Sequence, residues 1–500
     1  MAIKQTLMAA MLVWSMAAFS QTDQDTVYVS LDDQPNGVRF LPAPPDTASA
    51  VFIDDMLQFQ WGKSQRNTPR GRQASDESLW TPDAMRSVMA QVLGLDTINQ
   101  NDTPALDRLL VKIYNTGDKS VKASKEEYVR IRPFVQMNDP LWAQYDDDFL
   151  RTNGSYPSGH TAFGWATALV FAEMWPELQD TILRRGFQFG ENRVIVGAHY
   201  QSDVTAGFLC AAASVARAHV NPELEKDILT ARAEYARLKG LPENYDPVTA
   251  TDVPHGERIV NNPVDTTSYR YITDLTQYWS AKTQRQTERG KRAAKEAEYS
   301  VEMMCQVFGE AANITISAEK TPAIYALLDT VLIKASETAD RLKPIRFRKR
   351  PFVQLGEPSF VPGDEEKERG KSSFPSGHTN LGWSTALVMA EVAPECQNEI
   401  LRRGYEYGYN RLIVGYHWFT DIEATRQVSA ALVARLHADA GIREMIAAAR
   451  AEYVEQTTSS VHPVSALKKS ADNRVYTLNG RQTTENTRGI VIKDGQKVVR

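Results

Sequence analysis

Along most of the chain, apolar residues recur three to four positions apart, as in PALDRLLVKIY (104–114) and GWATALVFAEMW (164–175). That spacing places them on one face of a helix. Alternating apolar and polar runs are nearly absent from the body of the chain, so the pattern predicts an all-α protein. Two ends depart from it. Lys4 precedes the apolar run TLMAAMLVWSMAAF (6–19), Ala18-Phe19-Ser20 offers small residues where a signal peptidase cuts, and the chain then turns polar (QTDQDT). Residues 1–20 read as a secretory signal peptide. No later stretch approaches the ~20 apolar residues of a membrane span, so the mature chain is expected to be exported, to the periplasm, the medium or the cell surface. At the other end, VYTLNGRQTTENTRGIVIKDGQKVVR (475–500) sets Asn-Gly and Asp-Gly turns between short β-branched runs, which predicts a small β tail over 463–500.

The helical pattern occurs twice. From Thr97 to Tyr235, adding 218 to a residue number lands on an equivalent position without a gap. WATALVFAEMWPELQDTILRRGFQFGENR (165–193) answers WSTALVMAEVAPECQNEILRRGYEYGYNR (383–411), and upstream QVLG (91–94) faces QVFG (306–309). A period above 200 residues is a domain duplication, not a solenoid. The expected organisation is one helical domain over 21–245 and a second over 246–462, which can pack as an intrachain pseudo-dimer. The Pro-rich stretch 240–268 reads as the linker.

Composition narrows the class. Five hundred residues exceed one ordinary core, while 42% hydrophobic and 24% charged residues are those of a soluble globular protein. A net charge of -5 does not point to nucleic acid or an anionic membrane. The three cysteines, Cys210, Cys305 and Cys396, lack metal-ligand spacing and read as buried packing residues. The basic runs 62–73 and 282–296 read as solvated helix faces. The acidic stretches DDDF (146–149) and GDEEKER (363–369) read as exposed loops that influence the entry of anions.

Three blocks survive in both copies: Lys125-x6-Arg132-Pro133 and Lys343-x6-Arg350-Pro351; Pro157-Ser158-Gly159-His160 and Pro375-Ser376-Gly377-His378; Arg193-x5-His199-x3-Asp203 and Arg411-x5-His417-x3-Asp421. A lysine and two arginines suit a tetrahedral dianion, and Ser-Gly at a helix start adds backbone N–H groups that an oxyanion can approach. His199 and Asp203, four apart, would share a helix face. The carboxylate could then hold one ring nitrogen and leave the other as a nucleophile toward phosphorus. His160 is placed as general acid for the departing alkoxide.

These blocks resemble the signature of the type 2 phosphatidic acid phosphatase superfamily, and GSYPSGHT (154–161) resembles the soluble bacterial class A nonspecific acid phosphatases. The resemblance covers nearly all of both halves. It implies two tandem all-α acid-phosphatase/haloperoxidase-like domains that hydrolyse small phosphate monoesters without metal or other cofactor, through a phosphohistidine. It implies His199 and His417 as nucleophiles, Asp203 and Asp421 as their orienters, and His160 and His378 as acids. Lys125, Arg132, Ser158, Gly159 and Arg193, with Lys343, Arg350, Ser376, Gly377 and Arg411, would hold the phosphate. The family usually has serine where this chain has Asn192 and Asn410, which is expected to alter a phosphate contact. The second copy looks nearer the family norm. Three other readings use the same residues: a haloperoxidase holding vanadate, a lipid or prenyl phosphate phosphatase, and a phosphate-binding non-enzyme. The tail resembles the terminal sorting segments that Bacteroidetes-type bacteria attach to exported proteins.

Overall fold

The structure, a computed structural model, describes residues 26–143, 148–242 and 253–459, together with the backbone of four short C-terminal strands. The signal-peptide reading and the boundary at residues 245 and 246 lie outside the described residues. Up to residue 459 every regular element described is helical. The helices of eight residues or more form two matching series. The first comprises α1 (Ala50–Gln65), α2 (Pro69–Asp76), α3 (Pro82–Leu93), α4 (Pro104–Lys119), α5 (Gly159–Met174), α6 (Gln179–Ile195), α7 (Gln201–His219) and α8 (Pro222–Lys239). The second comprises α9 (Tyr271–Lys282), α10 (Glu288–Lys295), α11 (Val301–Ala312), α12 (Pro322–Leu342), α13 (Gly377–Val392), α14 (Gln397–Ile413), α15 (Phe419–Ala438) and α16 (Ala440–Ser459).

The duplication is therefore structural as well as sequential. Its register needs one correction. Helix α3 ends at Gly94 (φ 61°) and α11 at Asn313 (φ 57°), both left-handed caps, so QVLG answers residues 310–313. QVFG lies one turn earlier on its helix.

Helices α5 and α13 are the centre of each half. Every residue of α5 is buried, so the apolar spacing of 164–175 marks a helix that is core all round and not one with a single buried face. Its neighbour α6 approaches closely because Gly186 has no side chain: a Cβ there would lie 2.3 Å from that of Ala168, and Gly404 stands in the same relation to Ala386. The halves pack reciprocally, α5 against α15 and α7 against α13. His219 stacks on its own counterpart, His437, with ring centroids 3.8 Å apart.

Among the described residues, contacts group those up to 453 as one compact unit and those from 454 onward as a second. The described part of the expected linker is not a free tether, since Val253, Ile259 and Val260 are buried. Among the described residues no helix is long and apolar enough to cross a membrane. Of the cysteines, Cys210 and Cys305 are buried as expected and Cys396 is only partly so. In the C-terminal unit, β1 (Val475–Thr477), β2 (Gln482–Thr483), β3 (Ile490–Lys493) and β4 (Gln496–Val499) form one antiparallel sheet in the order β2-β1-β3-β4.

Candidate active sites

Each half brings its three blocks together. Ser158 caps the N-terminus of α5, its hydroxyl oxygen accepting from Thr161 N–H at 3.3 Å and from the Thr161 hydroxyl at 2.9 Å. That fixes Gly159 and His160 in the first helical turn. Ser376 caps α13 through Thr379 in the same way. Arg193 lies near the C-terminal end of α6. The chain then turns through Gly197 (φ 83°), where a Cβ would meet Arg66 Nη2 at 2.6 Å; Gly415 (φ 85°) repeats the turn against Arg285. This turn delivers His199 just ahead of α7. His199 is therefore not on a helix face with Asp203, as the spacing had predicted. Asp203 is instead the third residue of α7 and accepts from the Tyr200 N–H at 2.8 Å, which caps the helix start.

The nucleophile candidate is oriented mainly by backbone. His199 Nδ1 lies 2.7 Å from the Ser155 carbonyl and 3.6 Å from the nearer Asp203 oxygen. Its Nε2 lies 2.9 Å from Arg132 Nη1. An arginine can only donate and a carbonyl can only accept. These partners assign the proton to Nδ1 and leave the Nε2 lone pair facing the guanidinium. His417 repeats the arrangement, with Nδ1 at 2.6 Å from the Ser373 carbonyl and Nε2 at 3.0 Å from Arg350 Nη1. Burial and then the arginine hold both rings well below the ordinary histidine pKa, so they stay uncharged in mild acid.

The second histidine is held the other way round. His160 Nε2 donates to the Ser78 carbonyl at 2.8 Å, and its buried Nδ1 has no hydrogen-bond partner. Nδ1 is thus the position for a transferable proton. His378 Nε2 meets the Ala297 carbonyl at 2.9 Å. His160 is buried beneath Trp80, with ring centroids 5.0 Å apart; His378 is half-buried beside the smaller Tyr299. Burial, followed by Arg193 for His160 and Arg411 for His378, lowers both pKa values well below the usual.

The cations converge on these rings. Lys125 Nζ donates to the Gly154 carbonyl at 2.7 Å, and Arg132 Nη2 reaches the same oxygen at 3.3 Å. Burial and the neighbouring Arg132 push Lys125 down to about 7. In the second half, Nε and Nη1 of Arg411 are buried without a hydrogen-bond partner, and burial pushes its pKa down to about 10. Buried donors of that kind call for an acceptor, which an anion supplies.

Several supporting residues were not anticipated. Arg130 bridges two buried carboxylates, Asp203 at 2.5 Å and Asp55 at 2.7 Å, and Asp55 also takes the Ser202 N–H at 2.8 Å. Arg348, Asp421 and Asp274 repeat the bridge at 2.6 and 2.5 Å. The recurrence of Asp55 and Arg130 at shifts of 219 and 218 was the available signal.

The basic runs are not wholly solvated. Arg66 and Arg285 are buried and brace the backbone that leads to the histidines, donating to Ile195 O at 3.0 Å and Ile413 O at 2.8 Å. Asn192 makes its contacts away from the rings: Nδ2 donates to Glu77 at 2.7 Å and Oδ1 accepts from Arg70. Asn410 does the same with Glu296 and Arg289.

Among the described residues, one group has ligand types suited to a metal: Glu173, His219 and His437. Glu173 lies fourteen residues along α5 from Gly159, about 20 Å at 1.5 Å per residue. The two rings stack within 18° of parallel. Their in-plane lone pairs run side by side and do not converge on one ion.

Two segments, residues 113–224 and 322–442, match the model of the PAP2 superfamily. The chain is 40% identical over 219 residues to a non-specific acid phosphatase of Providencia stuartii, covering 44% of this chain and 88% of that protein. It is 34% identical over 220 residues to one from Salmonella typhimurium, covering 44% and 88%. An acid phosphatase of Zymomonas mobilis is 28% identical over 238 residues, covering 48% and 89%. Each of these matches spans about the length of one half.

Proposed function

The chain belongs to the PAP2 superfamily, and on that premise we propose that it is an acid phosphatase with two catalytic centres, each hydrolysing phosphate monoesters through a phosphohistidine. The observation that carries this reading is the held imidazole of His199 between the Ser155 carbonyl and Arg132, repeated at His417 between Ser373 and Arg350. A monoester entering the first site takes over donors of Arg132, Arg193 and Lys125 and frees the Nε2 lone pair of His199. Nε2 then bonds to phosphorus as the ester P–O bond breaks, and His160 Nδ1–H protonates the departing oxygen. The ring becomes positively charged, with the Asp203 carboxylate 3.6 Å away to stabilise it. Water next attacks phosphorus, His160 takes its proton back, and orthophosphate leaves His199 neutral again.

The cations stabilise charge on the phosphoryl oxygens throughout. No step requires a metal. His160 is neutral at rest, because burial and Arg193 disfavour its charged form. The negative charge of bound phosphate restores a proton to it, which favours acid conditions.

Export is part of the same reading and rests on the apolar run 6–19 that follows Lys4. The reciprocal helix contacts and the His219–His437 stack support an intrachain pseudo-dimer, since a residue meets its own counterpart only near a two-fold axis. The direct test compares His199→Ala, His417→Ala and the double change on a phosphate monoester. The single variants should each keep part of the rate, and the double variant should keep essentially none. Retention of the parent rate by the double variant would refute the assignment.

A further inference from the structure

The two sites share their sequence blocks but not the helix face that borders them. Asp118 is the last residue but one of α4, and its Oδ1 lies 3.3 Å from the point where a Cβ on Gly159 would stand. The carboxyl therefore borders the helix start to which the phosphate is assigned. That oxygen is buried and, among the described residues, has no hydrogen-bond partner. One turn earlier on the same face, Tyr114 Oη is buried without a partner as well. Buried polar atoms are rarely left unmatched, and the ligand able to match the carboxyl is the one that Gly159 receives.

The second half is built differently. A shift of 218 places Ser336 and Leu332 of α12 where the first half has Asp118 and Tyr114. Ser336 donates to the Leu332 carbonyl at 2.9 Å and lies 3.0 Å from the Tyr299 hydroxyl, so it is satisfied within the protein. Around Gly377 the nearest described atoms to a Cβ are Lys343 Nζ and Tyr299 Cε2, both at 3.9 Å and neither acidic.

A carboxyl beside bound phosphate acts in opposite ways in its two states. Ionised, it faces a like charge with little water between; protonated, it offers one more donor to a phosphate oxygen. Burial raises Asp118 to about 6, against the opposing pull of Lys125 and Lys119. Those two are the charged groups that act on the carboxyl. Arg193 of α6 and Asp83 of α3 act on Tyr114, and the His160 ring beside Gly159 is neutral at rest. A bound dianion raises Asp118 further, because it too opposes the carboxylate.

From this placement we propose that Asp118 is a substrate-contacting residue of the first site only: its protonated carboxyl donates to a non-bridging phosphate oxygen, and its carboxylate repels the phosphate. This rests on reading Gly159 as part of the phosphate cradle. The first half then binds phosphate in acid and loosens its hold towards neutrality, by a group that the second half replaces with serine.

The test isolates the first half in a His417→Ala background, with p-nitrophenyl phosphate as substrate and orthophosphate as competitive inhibitor. Asp118→Asn keeps a donor of similar shape and cannot ionise. Its inhibition constant should match the parent's at pH 5 and be about tenfold lower at pH 7.5, the scale of one charge-assisted hydrogen bond. KM should follow, and kcat should change less. Taking the ratio of parent to variant at each pH sets aside the titration of phosphate and of Lys125, which both proteins share. Asp118→Ala has neither donor nor charge, so it should bind orthophosphate more weakly than the parent at pH 5 and more tightly at pH 7.5.

A ratio that stays constant from pH 5 to pH 7.5 would overturn the proposal, and so would weaker binding by Asp118→Asn at pH 7.5. Either result leaves the phosphate cradle standing. Failure of orthophosphate to inhibit the parent and the variants alike would overturn the proposal together with the assignment of Gly159.

Discussion

His199 Nδ1 is held by the Ser155 carbonyl at 2.7 Å, while Asp203, four residues further along, stays 3.6 Å away and bonds Arg130 and the Tyr200 N–H. The carboxylate therefore acts on the ring through its charge more than through a hydrogen bond. Asp203→Asn, measured in a His417→Ala background, should keep the ring's tautomer and lower kcat by about 10²-fold. In the same background His199→Ala should cost about 10⁴-fold or more. Equal losses in the two variants would mean that Asp203 is the direct orienter after all.

The tautomer of His160 bears on the leaving group. With Nε2 tied to the Ser78 carbonyl, only Nδ1 can carry the transferable proton. In a His417→Ala background, which silences the second site, His160→Ala should therefore lower kcat by about 10²–10⁴-fold for an alkyl phosphate, whose alkoxide needs protonation. For p-nitrophenyl phosphate the loss should be far smaller, because nitrophenolate leaves unprotonated. A uniform loss across leaving groups would remove His160 from the acid role.

Part of this arrangement is legible in the sequence. Side-chain chemistry that repeats at a fixed shift is visible there, and with it the three blocks that the fold gathers in each half and the all-α class. The partners that fix each tautomer are not, because the carbonyls of Ser155 and Ser78 belong to the backbone and leave no mark on residue type. Arg130 and Asp55 repeat as faithfully as the blocks, yet they satisfy one another inside the fold and so look like ordinary surface charges in a linear reading. In the sequence Asn192 reads as a position that alters a phosphate contact, because the resembled family usually has serine there. On a helix, adjacent residues point about 100° apart, and Asn192 faces Glu77 and Arg70 instead.

Asn192→Ser should accordingly leave KM for phosphate monoesters almost unchanged. It would break the bond to Glu77, a cost of about 1 kcal/mol in stability, readable as a lower denaturation midpoint. A marked change in KM with stability intact would place the amide back at the phosphate.

Lys125 supplies a pH dependence for the first site. Burial and Arg132 push its pKa down to about 7, so it is largely neutral above that value and charged below it. In a His417→Ala background, phosphate affinity should rise as pH falls from 8 to 6, by about tenfold for the gain of one charged donor. Lys125→Arg, always charged, should flatten that part of the profile relative to the parent. A profile identical to the parent's would assign the pH effect to the phosphate itself.

The contact between the halves carries its own titration. His437 Nε2 lies 2.9 Å from Glu391, and its Nδ1 lies 2.9 Å from the Val433 carbonyl. Burial would lower its pKa, but Glu391 and then Glu173 outweigh that and raise it to about 9. A histidine whose folded value exceeds its unfolded value of about 6.5 contributes stability that is fully present below 6.5 and lost as pH rises through 9. The shift corresponds to about 3 kcal/mol. Glu391→Gln removes the charge that sustains it, so parent and variant should differ most in denaturant stability near pH 6 and converge near pH 10. A difference that does not change with pH would mean that Glu391 acts by packing alone and that His437 is not the group that titrates.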